Sequence, residues 1–107
     1  MRQYVSLHNH TTGSIGDSII LPKELIEKTK ELGQTAVAIT DHGSMAALWD
    51  ANKAAKKSGV KLIAGCEIYF VDNADNNEDT ILRHLILLAK NKVGYKNLLS
   101  INKRCIL

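Results

Sequence analysis

The sequence predicts an α/β fold in which parallel strands alternate with helices and an antiparallel hairpin follows. Three observations predict it. Short apolar runs rich in β-branched residues recur between stretches of helical periodicity. Glycines stand where those stretches would end, and a polar, acidic segment divides the last two apolar runs.

Residues Arg2–Leu7 read as a first strand that ends at a histidine pair. Pro22 opens a helix in its first turn, where a missing N–H costs nothing. Leu25, Ile26, Thr29 and Leu32 give that helix an apolar stripe, and Gly33 caps it. Thr35–Thr40 is a short apolar run suited to a strand covered on both faces. A second helix is expected from about Met45 to Ser58 with Gly59 as its cap, and Val60–Ala64 is again a buried strand. Strand, helix, strand, helix, strand is the pattern of a parallel sheet or barrel with right-handed crossovers.

Gly65–Val71 continues as strand, Asp72–Asp79 is an acidic turn, and Ile81–Ala89 returns. Reflection through the middle of that turn sets Glu67 opposite His84 on one face of the hairpin. Gly94–Arg104 reads as a closing helix with a partial apolar stripe.

A chain of 107 residues, 45% hydrophobic and 23% charged, is one globular domain or part of one. Its longest apolar runs are too short to cross a bilayer, and the N-terminus lacks a signal-peptide pattern. Cys66 and Cys105 form neither a disulfide framework nor a zinc-type CxxC, so a reducing cytoplasm is expected. The net charge of +3 is unevenly placed: Arg83, Lys90, Lys92, Lys96, Lys103 and Arg104 all follow the last carboxylate side chain, Asp79. Such a stretch can meet a phosphate backbone or simply be a solvated face.

The chemistry is concentrated at strand ends. His8 and His10 lie two apart on an extended chain, so both imidazoles can face one cation. His42 follows the second strand beside Asp41, Glu67 follows the third, and Asp17 lies in the loop after the first. At the C-terminal mouth of a parallel barrel these residues would converge. Mixed nitrogen and carboxylate ligands suit zinc, manganese or iron better than calcium. Each residue alone has an ordinary reading: a strand histidine, an Asx turn, a surface carboxylate, a hydrogen-bonded His84. The ordered set of ligand types at successive strand ends is what points to metal binding.

These residues resemble a known family. Leu7-His8-Asn9-His10-Thr11, with Ser14 and Asp17 following, resembles the first motif of PHP (polymerase and histidinol phosphatase) domains. Thr40-Asp41-His42-Gly43 resembles the second, and Gly65-Cys66-Glu67-Ile68-Tyr69 the segment carrying a bridging glutamate. His84-Leu85-Ile86-Leu87-Leu88-Ala89-Lys90-Asn91, with Gly94-Tyr95-Lys96-Asn97-Leu98 after it, resembles the form found in bacterial-type DNA polymerase III alpha subunits rather than in stand-alone histidinol phosphatases. The resemblance runs through the whole chain in order.

It implies the N-terminal portion of a distorted (β/α)7 barrel with a centre for up to three divalent ions (zinc, manganese or iron). It implies that His8, His10 and Glu67 hold one ion, that Asp17 and His42 belong to a second, and that Glu67 and His84 belong to a third. Asp41 is then expected to orient its neighbour without ligating. The implied activity is that of a phosphoesterase or 3′–5′ exonuclease in DNA replication. The implied partners are DNA through the parent polymerase, the remaining polymerase domains or a proofreading subunit, and no membrane.

The family's barrel is longer than this chain, and its last ligands come from a second half. No histidine follows His84 and no carboxylate side chain follows Asp79, which leaves Cys105 as the one late candidate. Ligand counts of three, two and two are therefore expected, with the first group best able to hold an ion. An unfinished barrel also predicts an open sheet edge and self-association. A stand-alone phosphoesterase of the histidinol-phosphatase type and a non-catalytic scaffold are the competing readings.

Overall fold

The computed structural model describes residues 3–73, 75 and 81–104. In chain order these form α1 (Pro22–Glu31), β1 (Ala36–Ile39), α2 (Leu48–Ser58), β2 (Lys61–Phe70), β3 (Arg83–Leu88) and α3 (Lys92–Arg104). The class is α/β with a mixed sheet in the order β1-β2-β3, parallel between β1 and β2 and antiparallel between β2 and β3.

Pro22 sits in the first turn of α1, where the Glu24 carboxylate reaches back to accept the Leu21 N–H at 3.1 Å. Past the other end, Gly33 takes φ +70° and donates its N–H to the Lys30 carbonyl. The stripe of α1 delivers Ile26 to a core with Val37 and Ile39 of β1, Leu48, Ala51 and Ala55 of α2, and Val60. Burial of these side chains stabilises the layer by roughly 1.5–3 kcal/mol for each large aliphatic. Every residue of β1 is buried, as its unbroken apolar run requires.

The segment expected as a first strand is reduced, among its described residues, to one bridge between Ser6 and Val37. The physical reason is Asn9. Its side-chain amide donates to the Ala38 carbonyl at 2.9 Å, while its own N–H goes to the Thr40 hydroxyl at 3.0 Å. Side-chain bonds thus interrupt the ladder between the two backbone bonds that remain, from the Ala38 N–H to the Ser6 carbonyl and from the Thr40 N–H to the Asn9 carbonyl. Arg2 lies outside the described residues.

α2 begins three residues later than the expected Met45, after a turn in which the Leu48 N–H meets the Met45 carbonyl. α3 begins before the expected Gly94, because the Asn91 side chain accepts the Gly94 N–H at 3.0 Å and caps the first turn. Leu98 anchors α3, and Asn102 donates to the Gly43 carbonyl at 2.7 Å, tying the helix to the loop after β1.

β2 exchanges partners along its length. Lys61–Ala64 pairs with β1, and Gly65–Phe70 pairs with β3. At the exchange a Cβ on Gly65 would lie 2.8 Å from the Leu87 carbonyl oxygen and 2.9 Å from Thr40 Cγ2, so only glycine fits. The hairpin register differs from the expected one by two residues: Glu67 faces Ile86, and His84 faces Tyr69. A slip of two keeps every side chain on its face, so Glu67 and His84 meet diagonally rather than directly. Of the acidic turn, positions 74 and 76–80 lie outside the described residues; Asp72 forms an ion pair with Arg83 at 2.7 Å. Cys105 also lies outside them. Among the described residues no helix is long and apolar enough to cross a membrane.

Candidate metal centre

The parallel register that begins at Ala36 with Lys61 continues past β1 to a bridge between His42 and Glu67. Backbone bonds lock this bridge: the Glu67 N–H donates to the Asp41 carbonyl at 3.0 Å, and the Gly43 N–H to the Glu67 carbonyl at 2.9 Å. Partners in a parallel pair share a face, so His42 and Glu67 stand side by side. The arm released by Asn9 brings His8 and His10 over the same spot, and β3 brings His84.

Glu67 is the hub. Its carboxylate is almost fully buried, yet faces imidazoles from three segments. Oε2 lies 2.9 Å from His8 Nε2 and also accepts from His10 Nε2, while Oε1 lies 2.7 Å from His84 Nδ1. The other nitrogen of His10 is 2.7 Å from Asp17 Oδ2, and the same Asp17 oxygen is 3.4 Å from His42 Nε2. His42 Nδ1 is buried 3.9 Å from Glu67 Oε2, too far for a hydrogen bond, and has no hydrogen-bond partner among the described residues.

The six residues form three overlapping groups whose donor atoms lie within 4.8 Å of one another: His8, His10 and Glu67; His10, Asp17 and His42; His42, Glu67 and His84. Two groups therefore gain a member over the expected pairs. A neutral imidazole offers one lone pair, however, so His10 and His42 can each ligate only one ion at a time. The donor set fits a small divalent ion. Ligands of a tetrahedral ion bound at ~2.1 Å stand about 3.4 Å apart, the spacing of His42 Nε2 and Asp17 Oδ2, and a buried imidazole nitrogen without a partner is what a cation would satisfy.

Electrostatics point the same way. Burial by itself would raise the Glu67 carboxyl. Hydrogen bonds from His8 and His10, and the charges of His42 and His10, outweigh that and hold it at about 2. Burial opposes protonation of His10, but its bonds to Glu67 and Asp17 prevail and raise its pKa above 6.5. Glu67 is therefore an anion throughout the neutral range.

Asp41 stands beside the three ligand groups and belongs to none of them. Its carboxylate accepts from the Thr11 N–H, from the Thr11 hydroxyl at 2.7 Å and from the Ser14 hydroxyl at 2.9 Å, and it touches no imidazole. Ser14 in turn accepts the His42 N–H at 3.0 Å. Asp41 thus fixes the loop that carries Asp17 and, through Ser14, the backbone of His42. A Cβ on Gly13 would lie 2.4 Å from Asp41 Oδ2, so the loop closes only over glycine. Reading residue types alone misses the work of Thr11 and Ser14; the signal was the hydroxyl spacing around Gly13.

A cleft of about 470 Å³ opens beside Asp17 and His42, walled by Ser14, Ile15, Ser44 and Tyr69. Tyr69 shares the face of Glu67, two residues along β2, and stands near His42 and His84.

Comparison with known proteins identifies the family. Residues 6–104 match the family described as the PHP domain. The DNA polymerase III subunit alpha of Treponema pallidum is 40% identical over 106 residues, which are 94% of this chain and 9% of that protein. That of Campylobacter jejuni is 41% identical over 97% of this chain and 9% of its own length. This chain accordingly spans about a tenth of the length of such relatives. Among solved structures, a candidate metal-dependent phosphoesterase from Bifidobacterium adolescentis aligns with TM-score 0.67 and 28% identity over 92% of this chain and 32% of that one. An amidohydrolase from Chromobacterium violaceum, solved with bound sulfate and no metal, aligns with TM-score 0.65 and 25% identity over 91% and 32%. The chain belongs to the PHP domain family and is homologous along nearly its whole length to DNA polymerase III alpha subunits.

Proposed function

We propose that this chain serves as the PHP segment of a replicative DNA polymerase III alpha subunit and that its site holds divalent ions for phosphate-ester hydrolysis. The observation that carries the reading is Glu67, a buried anion onto which four histidines from three segments converge. His8, His10 and Glu67 hold one ion; Asp17 with His42, and Glu67 with His84, contribute to the others. A divalent ion bound there supplies Lewis-acid polarisation of a phosphoryl oxygen and a more acidic water.

The protein's own residues do the remaining work. Asp41, Thr11 and Ser14 keep the Asp17 loop at a fixed distance from His42. Glu67 keeps its charge at neutral pH, so the ligand set needs no proton loss from it. The cleft beside Asp17 admits the ester from one side. Lys92, Lys96, Lys103 and Arg104 of α3 are exposed and unopposed by any carboxylate in that helix, which suits a DNA backbone presented by the parent polymerase.

Elemental analysis of chelator-free protein, with hydrolysis of bis(4-nitrophenyl) phosphate, tests the reading. Bound zinc, manganese or iron with metal-dependent turnover is expected. Glu67→Ala should abolish both while the circular dichroism spectrum persists. Protein that takes up metal but turns over nothing would favour the scaffold reading, and protein that takes up no metal would refute the site.

A further inference from the structure

The cleft beside Asp17 and His42 has a polar floor but two apolar walls. One wall is Ile15, 96% exposed. It is not loosely placed: the flanking Ser14 is bonded to Asp41, and the Asp17 N–H donates to the Ser14 carbonyl at 3.0 Å. An aliphatic side chain held this far into water contributes nothing to the core. The other apolar wall is Tyr69, 56% exposed, whose ring lies within 14° of parallel to His42 at 6.2 Å and meets the edge of His84 at 5.1 Å. Its hydroxyl has no hydrogen-bond partner among the described residues. Gly13, Ser14, Gly16, Asp17, His42 and Ser44 complete the lining.

We infer that Tyr69 and Ile15 form a binding subsite for the flat, apolar part of the ester, a nucleobase stacked on the Tyr69 ring, with its phosphate toward Asp17 and His42. The inference rests on the phosphate-ester reading above and adds the residues that select the organic group. A small ester without a ring would leave both walls wet. A base covers them, and stacking of a base on an aromatic side chain is sequence-tolerant.

The test is calorimetric titration of the 107-residue chain, with Mn²⁺ present, using thymidine 5′-monophosphate and 2-deoxyribose 5-phosphate. These probes share the phosphate and sugar and differ in the base. The wild type is expected to bind the nucleotide about fivefold to a hundredfold more tightly, the range for one stacked base. Tyr69→Ala should erase that preference and leave the sugar phosphate unchanged, whereas Tyr69→Phe and Tyr69→Trp should keep it. Ile15→Ser, at a site too exposed to affect folding, should weaken the preference in part. Equal binding of both probes by the wild type, or an intact preference in Tyr69→Ala, overturns the subsite. Sugar-phosphate binding indifferent to Mn²⁺ overturns the metal reading instead, and binding of neither probe overturns both.

Discussion

Asp41 and Glu67 are both buried carboxylates, linked by the bond from the Glu67 N–H to the Asp41 carbonyl, yet their surroundings differ in kind. Around Asp41 the donors are two hydroxyls and a backbone N–H, all of them permanent at any ordinary pH. Around Glu67 the donors are imidazole nitrogens, which hold a proton or give it up in favour of a metal. The first carboxylate is spent on holding the loop. The second keeps its partners exchangeable. Burial and residue type do not separate a structural acid from a metal-binding one; the chemistry of the donors does.

The largest expected effect breaks that contrast at Asp41. Asp41→Ala leaves three buried donors unsatisfied at about 1 kcal/mol or more each, so urea unfolding should show a loss of about 3 kcal/mol or more. Glu67→Gln in chelator-treated protein should cost less than half as much, because the imidazoles around it can reorient toward the cleft. Equal costs would erase the distinction between the two acids.

A smaller effect comes from crowding the same carboxylate. Gly13→Ala would place a methyl 2.4 Å from Asp41 Oδ2, and the carboxylate cannot move without breaking its bonds to Thr11 and Ser14. Overpacking of this kind costs about 1–3 kcal/mol. Urea unfolding should show that loss and elemental analysis a reduced metal content, since Asp17 lies on this loop and the His42 N–H donates to Ser14.

Much of this was legible in the sequence because it depends on residue type and short period. Alternation on an extended chain puts Glu67 and Tyr69 on one face, and ligand types at successive strand ends mark the positions that the fold gathers. Strand order and the parallel-to-antiparallel change also follow from the spacing of apolar runs. What stayed hidden depends on side-chain bonds between distant segments. Asn9 dissolves the expected first strand by taking ladder bonds into its side chain, and Asp41 turns toward Thr11 rather than toward a histidine. The two-residue register difference in the hairpin has another origin: reflection about a turn assumes a symmetry that the chain need not obey.

The pH response sharpens the contrast further, since the imidazole donors around Glu67 titrate and the hydroxyl and backbone donors around Asp41 do not. Glu67 is lowered from 4.5 to about 2, so its contribution to folding is full above 4.5 and fades as pH falls toward 2. His10 is raised above 6.5, so its contribution is full below 6.5 and fades as pH climbs through its folded value. Chelator-treated protein should therefore show a shallow maximum in thermal stability between about pH 4.5 and 6.5. Added Mn²⁺ should move that maximum upward, because metal binding requires neutral imidazoles. A metal-free maximum above pH 8 would mean that the imidazoles and Glu67 do not pair in solution as they do in this structure.

The smallest effect on folding is expected at His84. Its side chain is more than half exposed on β3, and its one polar partner among the described residues is Glu67 Oε1 at 2.7 Å. His84→Ala should change stability by less than about 0.5 kcal/mol, as for other exposed sites. Its effect on metal should be selective, because His84 belongs to one of the three ligand groups and is absent from the one built by His8, His10 and Glu67. A Mn²⁺ titration followed by electron paramagnetic resonance should lose its weaker equivalents and keep the tightest. If the tightest is lost instead, the strongest site lies on the β3 side of Glu67, and the arm carrying His8 and His10 is the auxiliary half of the centre.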